Sequence, residues 1–193
     1  MYEQLFSYIN RYSESPLAPD DEELIKSSMK PTKLKKKELF LEQGEICQYT
    51  GFILKGAMRQ YSIDIAGNEH IIQLALENWW MVDRESYLMK TPSIYNIDAW
   101  EDTELLILEV DDLQRLLEIP AIKEMFWKMN QSSFIASQKR LNNSIALPAM
   151  ERYEQLLKNY PDFIQRFPQH IIASYLGISK ETLSRVRSKL FQK

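Results

Sequence analysis

The segment from Pro168 to Leu190 carries the clearest chemical signal in the sequence. Gly177 can adopt the left-handed conformation that ends one helix, and Ser179 can cap the helix that follows. Apolar residues recur at helical spacing on both sides of this turn, namely Ile171, Ile172, Leu176, Leu183, Val186 and Leu190. The pattern predicts a helix-turn-helix, in which the second helix enters the major groove of DNA.

The polar residues of the second predicted helix have side chains suited to bases and phosphates. Arg185 can donate to a guanine, and Glu181 can accept from the amino group of a cytosine. Ser179 and Thr182, near the helix start, suit phosphate oxygens. The candidate DNA-contacting residues are Ser179, Lys180, Glu181, Thr182, Ser184, Arg185 and Lys189. A purely structural hairpin is the alternative, but the order of small residue, glycine turn, serine cap and exposed charges favours DNA binding.

Charge is unevenly distributed along the chain. The net charge is −3, yet Lys180 to Lys193 carries five basic residues and one acid, so the other 179 residues sum to −7. Salt screens charges more than about 10 Å apart at moderate ionic strength. A basic end on an acidic body can therefore still bind phosphates.

A long helix is predicted before this segment, because residues 121–147 contain no Gly or Pro. A helix of that length would extend about 40 Å. It has two apolar stripes, one of Ile122, Met125, Met129 and Ala136, the other of Trp127, Phe134 and Leu141. Two apolar faces need two covering surfaces, and a β-domain and a second copy of the chain would provide them. This favours a homodimer over a monomer with a buried helix, and leaves open which stripe forms the dimer.

The elements ahead of the long helix predict an α+β fold. Residues 1–30 read as two short helices, and residues 31–110 as short strands separated by turns, typical of an antiparallel β-roll or jelly roll. We expect a sensor domain over 1–118, a dimerisation helix over 119–147 and a helix-turn-helix domain over 148–193.

Several other residues have side chains that could bind a ligand or take part in catalysis. Trp79, which follows a predicted strand, could line an effector pocket, although core packing is the stronger interpretation. The lysines at 33, 35, 36 and 37 could touch DNA, but a lysine-guarded strand edge is favoured. Asp83 and Glu85 are two apart on a segment predicted to be extended, so their side chains would diverge and form no catalytic pair.

The remaining composition argues against other classes of protein. Cys47 is the only cysteine, and His70 and His170 form no convincing metal or haem pair, so no metal, cofactor or catalytic residue is predicted. The sequence has no secretory signal and no apolar run of about 18 residues. It therefore predicts a cytoplasmic protein that does not span a membrane and is not an enzyme.

The sequence resembles the CRP/FNR family of bacterial transcription regulators over nearly its whole length. Residues 176–185 are similar to the family's recognition motif, while Gly44-Glu45, residues 52–56 and residues 67–69 look like its first β-roll turns. The resemblance implies an effector-sensing homodimer on a near-palindromic operator, with RNA polymerase as a further partner. It also implies that Glu181 and Arg185 read bases.

The sequence departs from the cyclic-nucleotide-binding members of that family. Their phosphate cassette has Gly-Glu and then, about nine residues later, Arg with a hydroxyl residue. Aligned through Ala99, those positions hold Val82 and Asp83, then Ser93 and Ile94. Arg84 is one residue away from the acidic position. The candidate effector pocket is therefore Trp79, Asp83, Arg84 and Ser93, and cyclic AMP is not the expected effector.

A second departure lies at the end of the given sequence, which stops three residues after Leu190, so a truncated β-wing is expected. The leading interpretation is a transcription regulator in which an unidentified effector repositions two recognition helices. The alternative is a ligand-sensing or protein-interaction module that has lost DNA binding.

Overall fold

The computed structural model describes residues 1–191; the last two residues of the predicted helix-turn-helix domain, including Lys193, lie outside this range. Two helices precede the sheets, α1 (Tyr2–Tyr12) and α2 (Pro19–Ser28), as the sequence predicted. Helix α1 buries Leu5 and Ile9. Pro19 occupies the first turn of α2, where its missing N–H leaves no hydrogen bond unmade.

Eight strands follow and form two antiparallel sheets, which confirms the α+β fold with an antiparallel β-roll. In chain order they are β1 (Met29–Leu34), β2 (Leu39–Leu41), β3 (Tyr49–Lys55), β4 (Met58–Ile63), β5 (Glu69–Ala75), β6 (Trp80–Met81), β7 (Asn96–Ala99) and β8 (Thr103–Glu109). One sheet has the order β1-β8-β3-β6 and the other β2-β7-β4-β5.

The remaining helices are α3 (Arg84–Met89), between β6 and β7, and six that follow the sheets. These six are α4 (Val110–Leu116), α5 (Pro120–Ala146), α6 (Ala149–Asn159), α7 (Pro161–Arg166), α8 (Gln169–Leu176) and α9 (Lys180–Phe191). Helix α5 has 27 residues, so the predicted long helix is confirmed. No helix of the described residues is both long enough and apolar enough to cross a membrane.

The predicted extended segment at Asp83 to Glu85 is wrong. Asp83 is the N-cap of α3, and its Oδ1 atom accepts hydrogen bonds from the backbone N–H groups of Glu85 at 3.2 Å and Ser86 at 3.4 Å. An aspartate in this position satisfies N–H groups that have no partner within the helix. The cap therefore gives Asp83 a structural role.

Two hydrophobic cores meet at the second sheet. The first fills the roll and includes Phe52, Ile53 and Leu105. The second lies between the outer face of β4–β5 and the C-terminal helices, and joins Tyr61 and Leu74 to residues of α6–α9. Strand β4 is consequently buried on both faces, which its alternating sequence did not indicate.

Strand β1 is the edge of the first sheet, as the lysine cluster indicated. Lys33 forms a salt bridge with Glu104 of the neighbouring strand at 2.9 Å, and Lys35 one with Asp102 at 3.4 Å. Lysines along an edge strand disfavour pairing with another chain.

Candidate DNA-binding surface and effector cleft

The two helices of the predicted helix-turn-helix are α8 and α9, joined by a tight turn. Helix α8 buries Ile171, Ile172 and Ala173. It ends at Gly177, whose φ of 64° lies in the left-handed region that glycine adopts without a steric penalty. Ile178 returns its backbone N–H to the carbonyl of Ala173 at 3.0 Å, which closes the turn.

Helix α9 is fixed at its start by Ser179 and along its inner face by apolar residues. The Ser179 hydroxyl accepts a hydrogen bond from the backbone N–H of Thr182 at 3.1 Å, the geometry of an N-cap. Leu183 and Val186 are buried in the second core. Because both the cap and the inner face are satisfied, the outer face of α9 is free to contact a partner.

All seven candidate DNA-contacting residues lie in this cap or helix. Six are exposed and Thr182 is half-buried; the exposed six are Ser179, Lys180, Glu181, Ser184, Arg185 and Lys189. The Thr182 hydroxyl oxygen lies 3.3 Å from Nη2 of Arg185, which can donate to it. The backbone N–H of Glu181 and the Ser179 hydroxyl hold the pKa of the Glu181 carboxyl below its usual value. Its ionised oxygens can therefore accept hydrogen bonds at neutral pH.

Two of the candidate effector residues, Asp83 and Ser93, form a buried pair. The Ser93 hydroxyl donates to Oδ2 of Asp83 at 2.6 Å and accepts from the backbone N–H of Tyr95 at 3.0 Å. Both residues are less than 5% exposed. This pair stands where the resemblance places the acid and the arginine of a phosphate cassette, and it provides no cation.

The other two, Trp79 and Arg84, line a large cleft that neither Asp83 nor Ser93 reaches. The cleft has a volume of about 1120 Å³ and runs between the roll, helix α5 and the C-terminal helices. Trp79 lies at its junction with the C-terminal helices, with its ring 5.6 Å from Tyr160 and 5.7 Å from Phe163. The four predicted pocket residues therefore form two groups.

The sequence analysis did not predict most of the residues by which helix α5 lines the cleft. Asn130, Ser133 and Ser137 line it, as does Tyr175 of α8. The polar residues fall outside the apolar stripes, and Tyr175 is far away in sequence. The heptad spacing of Phe126, Ser133 and Arg140 could have identified this face, because residues seven apart lie on the same side of a helix.

The C-terminal helices dock on the edge strand β5. The Ser174 hydroxyl accepts from the backbone N–H of Ile71 at 2.9 Å and donates to the carbonyl of Glu69 at 3.0 Å. Arg140 of α5 donates to the carbonyl of Ile72. These contacts satisfy backbone groups that an edge strand would otherwise leave to solvent or to another chain.

A second docking contact centres on Arg166, at the end of α7. Its guanidinium forms salt bridges with Glu77 at 2.6 Å and Glu101 at 2.5 Å, and both carboxylates raise the pKa of the arginine. Its backbone carbonyl accepts from Nε1 of Trp100 at 3.2 Å. The helix-turn-helix is thus held to the roll by polar as well as apolar contacts.

The two apolar stripes of α5 have different environments. Ile122 and Met125 are buried in the first core and Met129 packs partly against it, whereas Ala136 is exposed. Three large residues of the other stripe are open to solvent, with exposed fractions of 63% for Trp127, 59% for Phe134 and 63% for Leu141. Within residues 1–191, the first core therefore covers Ile122, Met125 and part of Met129, whereas the large residues of the second stripe are mostly exposed.

Comparison with known proteins agrees with this architecture. Residues 31–119 match the family described as the cyclic nucleotide-binding domain. No curated protein matches the sequence. Among solved structures, FixK2 from Bradyrhizobium japonicum has a TM-score of 0.73 at 19% identity, with 85% of each chain covered.

Two further solved structures cover most of the chain. The c-di-GMP responsive global regulator CLP of Xanthomonas campestris has a TM-score of 0.68 at 14% identity, with 91% of this chain and 92% of that chain covered. The catabolite activator protein of Thermus thermophilus has a TM-score of 0.56 at 21% identity, covering 91% and 84%. Residues 31–119 are therefore similar to the cyclic nucleotide-binding domain, and the chain has the fold that these three solved proteins share.

Proposed function

We propose that this protein is a DNA-binding transcription regulator that acts as a homodimer and responds to a small effector. The observation that carries the proposal is the outer face of α9, where capped geometry presents Glu181, Ser184 and Arg185 side by side. A charged carboxylate and a guanidinium on the first two turns of an exposed helix suit the donor and acceptor edges of the major groove. In this role the protein would act in the cytoplasm, with RNA polymerase as a further partner.

The homodimer is supported by the exposed stripe of α5. Trp127, Phe134 and Leu141 recur every seven residues, the spacing at which two helices pair along a common seam. Burial of such side chains stabilises association by about 1.5–3 kcal/mol each. A two-fold axis along this seam would present two recognition helices to two half-sites of a near-palindromic operator.

The effector response is supported by the position of the cleft. One wall belongs to the predicted sensor domain (1–118), another to the predicted dimerisation helix (119–147), and a third to the predicted helix-turn-helix domain (148–193). A ligand that fits the cleft better in one arrangement of these parts shifts the population toward that arrangement. The recognition helices would then move relative to the dimer axis.

DNA binding is tested by selecting fragments from a genomic pool and measuring gel shifts at several salt concentrations. We expect Arg185→Ala to weaken specific binding at least about tenfold, because one bidentate base contact is worth roughly 1–3 kcal/mol and the dimer would lose two. Lys158→Ala is the matched control, since Lys158 is an exposed cation of the same domain outside α9. It should leave the selected sequence and its affinity within about twofold.

The outcomes separate the proposal from its alternative. If no fragment is selected, with or without cell extract as a source of effector, the protein is a ligand-sensing or protein-interaction module without DNA binding. If Arg185→Ala instead disrupts the dimer, the assignment of α9 as the DNA-contacting helix is wrong.

A further inference from the structure

The cleft between the roll, α5 and the C-terminal helices has a charge bias. None of its lining residues in the described part of the chain is Asp or Glu, although the chain contains 27 acidic residues. Four cations line it: Arg84, Lys139, Arg140 and Arg152. A cleft lined by one sign of charge concentrates ions of the opposite sign, because its low-dielectric walls focus the field.

The four cations differ in what already holds them. Arg140 donates to the carbonyl of Ile72 and lies 4.9 Å from the ring of Tyr175, while Arg152 donates to the carbonyl of Leu176 at 2.7 Å. These two arginines join parts of the fold. Within residues 1–191, Arg84 and Lys139 form no salt bridge. Their charges are available to a ligand.

Arg84 stands beside an aromatic wall. Tyr87 is one turn further along α3, and the rings of Trp80 and Phe126 are 5.3 Å apart; all three residues line the cleft. Trp80 and Tyr87 are more than nine-tenths buried, and in the described residues neither the Trp80 Nε1 nor the Tyr87 hydroxyl has a hydrogen-bond partner. Buried polar groups are normally satisfied, so two donors without partners mark a place where an acceptor is missing. Neighbouring atoms also desolvate the Arg84 guanidinium and lower its pKa.

We infer that the cleft binds an organic anion, whose aromatic or apolar body packs against Trp80, Tyr87 and Phe126 and whose charged group binds Arg84. The inference rests on the proposed function, because it names the chemical class of the effector. Lys139 serves the opposite end of the cleft, since 13 residues of helix separate it from Phe126, a distance of about 20 Å. Carboxylates, sulfonates and phosphates share the chemistry that Arg84 recognises.

The test uses two fluorescent probes with the same aromatic body. 8-Anilinonaphthalene-1-sulfonate is an anion, and N-phenyl-1-naphthylamine is its neutral counterpart. Fluorescence titrations of the full chain should show that Arg84→Gln weakens binding of the sulfonate about tenfold and changes binding of the neutral probe less than about twofold. Lys123→Gln is the matched control, because Lys123 is an exposed cation of α5 that does not line the cleft. It should leave both affinities unchanged.

Three results would overturn the inference. The first is an equal loss of both probes in Arg84→Gln, while thermal unfolding shows that the variant remains folded. The second is a sulfonate affinity no higher than that of the neutral probe in the wild type. The third is a larger loss in Lys139→Gln than in Arg84→Gln, which would move the anion to the other end of the cleft.

Competition identifies the charged group. 1-Naphthoate and 1-naphthyl phosphate should each displace the sulfonate probe in separate titrations. The stronger competitor shows whether the charged group of the natural ligand is a carboxylate or a phosphate. These measurements use the protein without DNA. If the protein fails to bind DNA, the probe titrations still test anion binding. If it fails to bind the anionic probe, the gel shifts still test DNA binding.

Discussion

Asp83 and Ser93 occupy the positions at which the resemblance places the acid and the arginine of a phosphate cassette. In the cassette implied by the resemblance, position 93 would provide a cation for a cyclic phosphate. Here its hydroxyl donates to a buried carboxylate instead. An anion brought to this position would meet a carboxylate of like charge without a compensating cation, which is costly in a buried site.

We therefore predict that in the Arg84→Gln variant, which removes the proposed anion contact of the cleft, 3′,5′-cyclic AMP binds no more tightly than adenosine, because its phosphate gains no favourable contact at Asp83 and Ser93. Isothermal titration calorimetry of the full chain measures both, and adenosine serves as the matched control without a phosphate. A micromolar dissociation constant for cyclic AMP, with adenosine at least about tenfold weaker, would contradict this reading of the pair.

Residues whose roles are set by their immediate neighbours could be predicted from the sequence. Gly177 and Ser179 act through their own turn and cap, and both have the predicted geometry. Asp83 could not be predicted, because the helix it caps has only six residues and too short an apolar repeat. The sequence also could not predict that Trp80 Nε1 and the Tyr87 hydroxyl lack hydrogen-bond partners in the described residues. Whether a buried donor finds a partner depends on residues that are distant in sequence.

Among the secondary-structure elements, the docking of the C-terminal helices on the roll governs how α9 is held. Arg166 joins α7 to Glu77 and Glu101 of the roll, with about a quarter of its side chain exposed. Partly exposed ion pairs contribute less than buried ones, so their loss would cost about 1 kcal/mol. Undocking exposes backbone groups of α8 and β5 to solvent.

We predict that Arg166→Gln increases hydrogen–deuterium exchange of α8 amides roughly fivefold, as expected for a loss of about 1 kcal/mol in local stability. Amides of β8 in the first core should exchange at the wild-type rate. Arg115→Gln is the matched control, because Arg115 forms its salt bridge with Asp112 within α4. Equal acceleration of α8 and β8 would show that Arg166 stabilises the whole fold rather than the docking contact.

The elements themselves were largely predictable, whereas their docking was not. Helix α5 was predicted over 121–147 and runs from Pro120 to Ala146, because a long stretch without Gly or Pro has few other structures available. The contact of Ser174 with β5 joins residues about 100 positions apart through polar atoms. Apolar periodicity carries no information about such pairs, so the second core and most of the cleft emerged only from the structure.

At the scale of the whole molecule, the proposed pairing of two recognition helices depends on the exposed stripe of α5. Trp127, Phe134 and Leu141 share one side of α5, away from the buried Ile122 and Met125. Contiguous apolar surface of this kind marks an interaction site. In the proposed homodimer, a second copy would cover it with the same residues, since a two-fold interface is self-complementary.

We predict that Trp127→Asp combined with Phe134→Asp raises the dimer dissociation constant more than about hundredfold, because each protomer loses two apolar contacts and places two like charges in the seam. Sedimentation equilibrium measures the change. Ser132→Asp is the matched control, since Ser132 is exposed on the opposite side of α5 from Phe134, at about 100° per residue. The Ser132→Asp variant should remain dimeric.

The double variant should also lose specific DNA binding, because the two half-sites need two linked recognition helices. It should bind the sulfonate probe with wild-type affinity, because the proposed anion contacts at Arg84 lie within one chain. A dimer that persists in the double variant would place the interface elsewhere and remove the two-fold arrangement of α9 on which the regulator proposal depends.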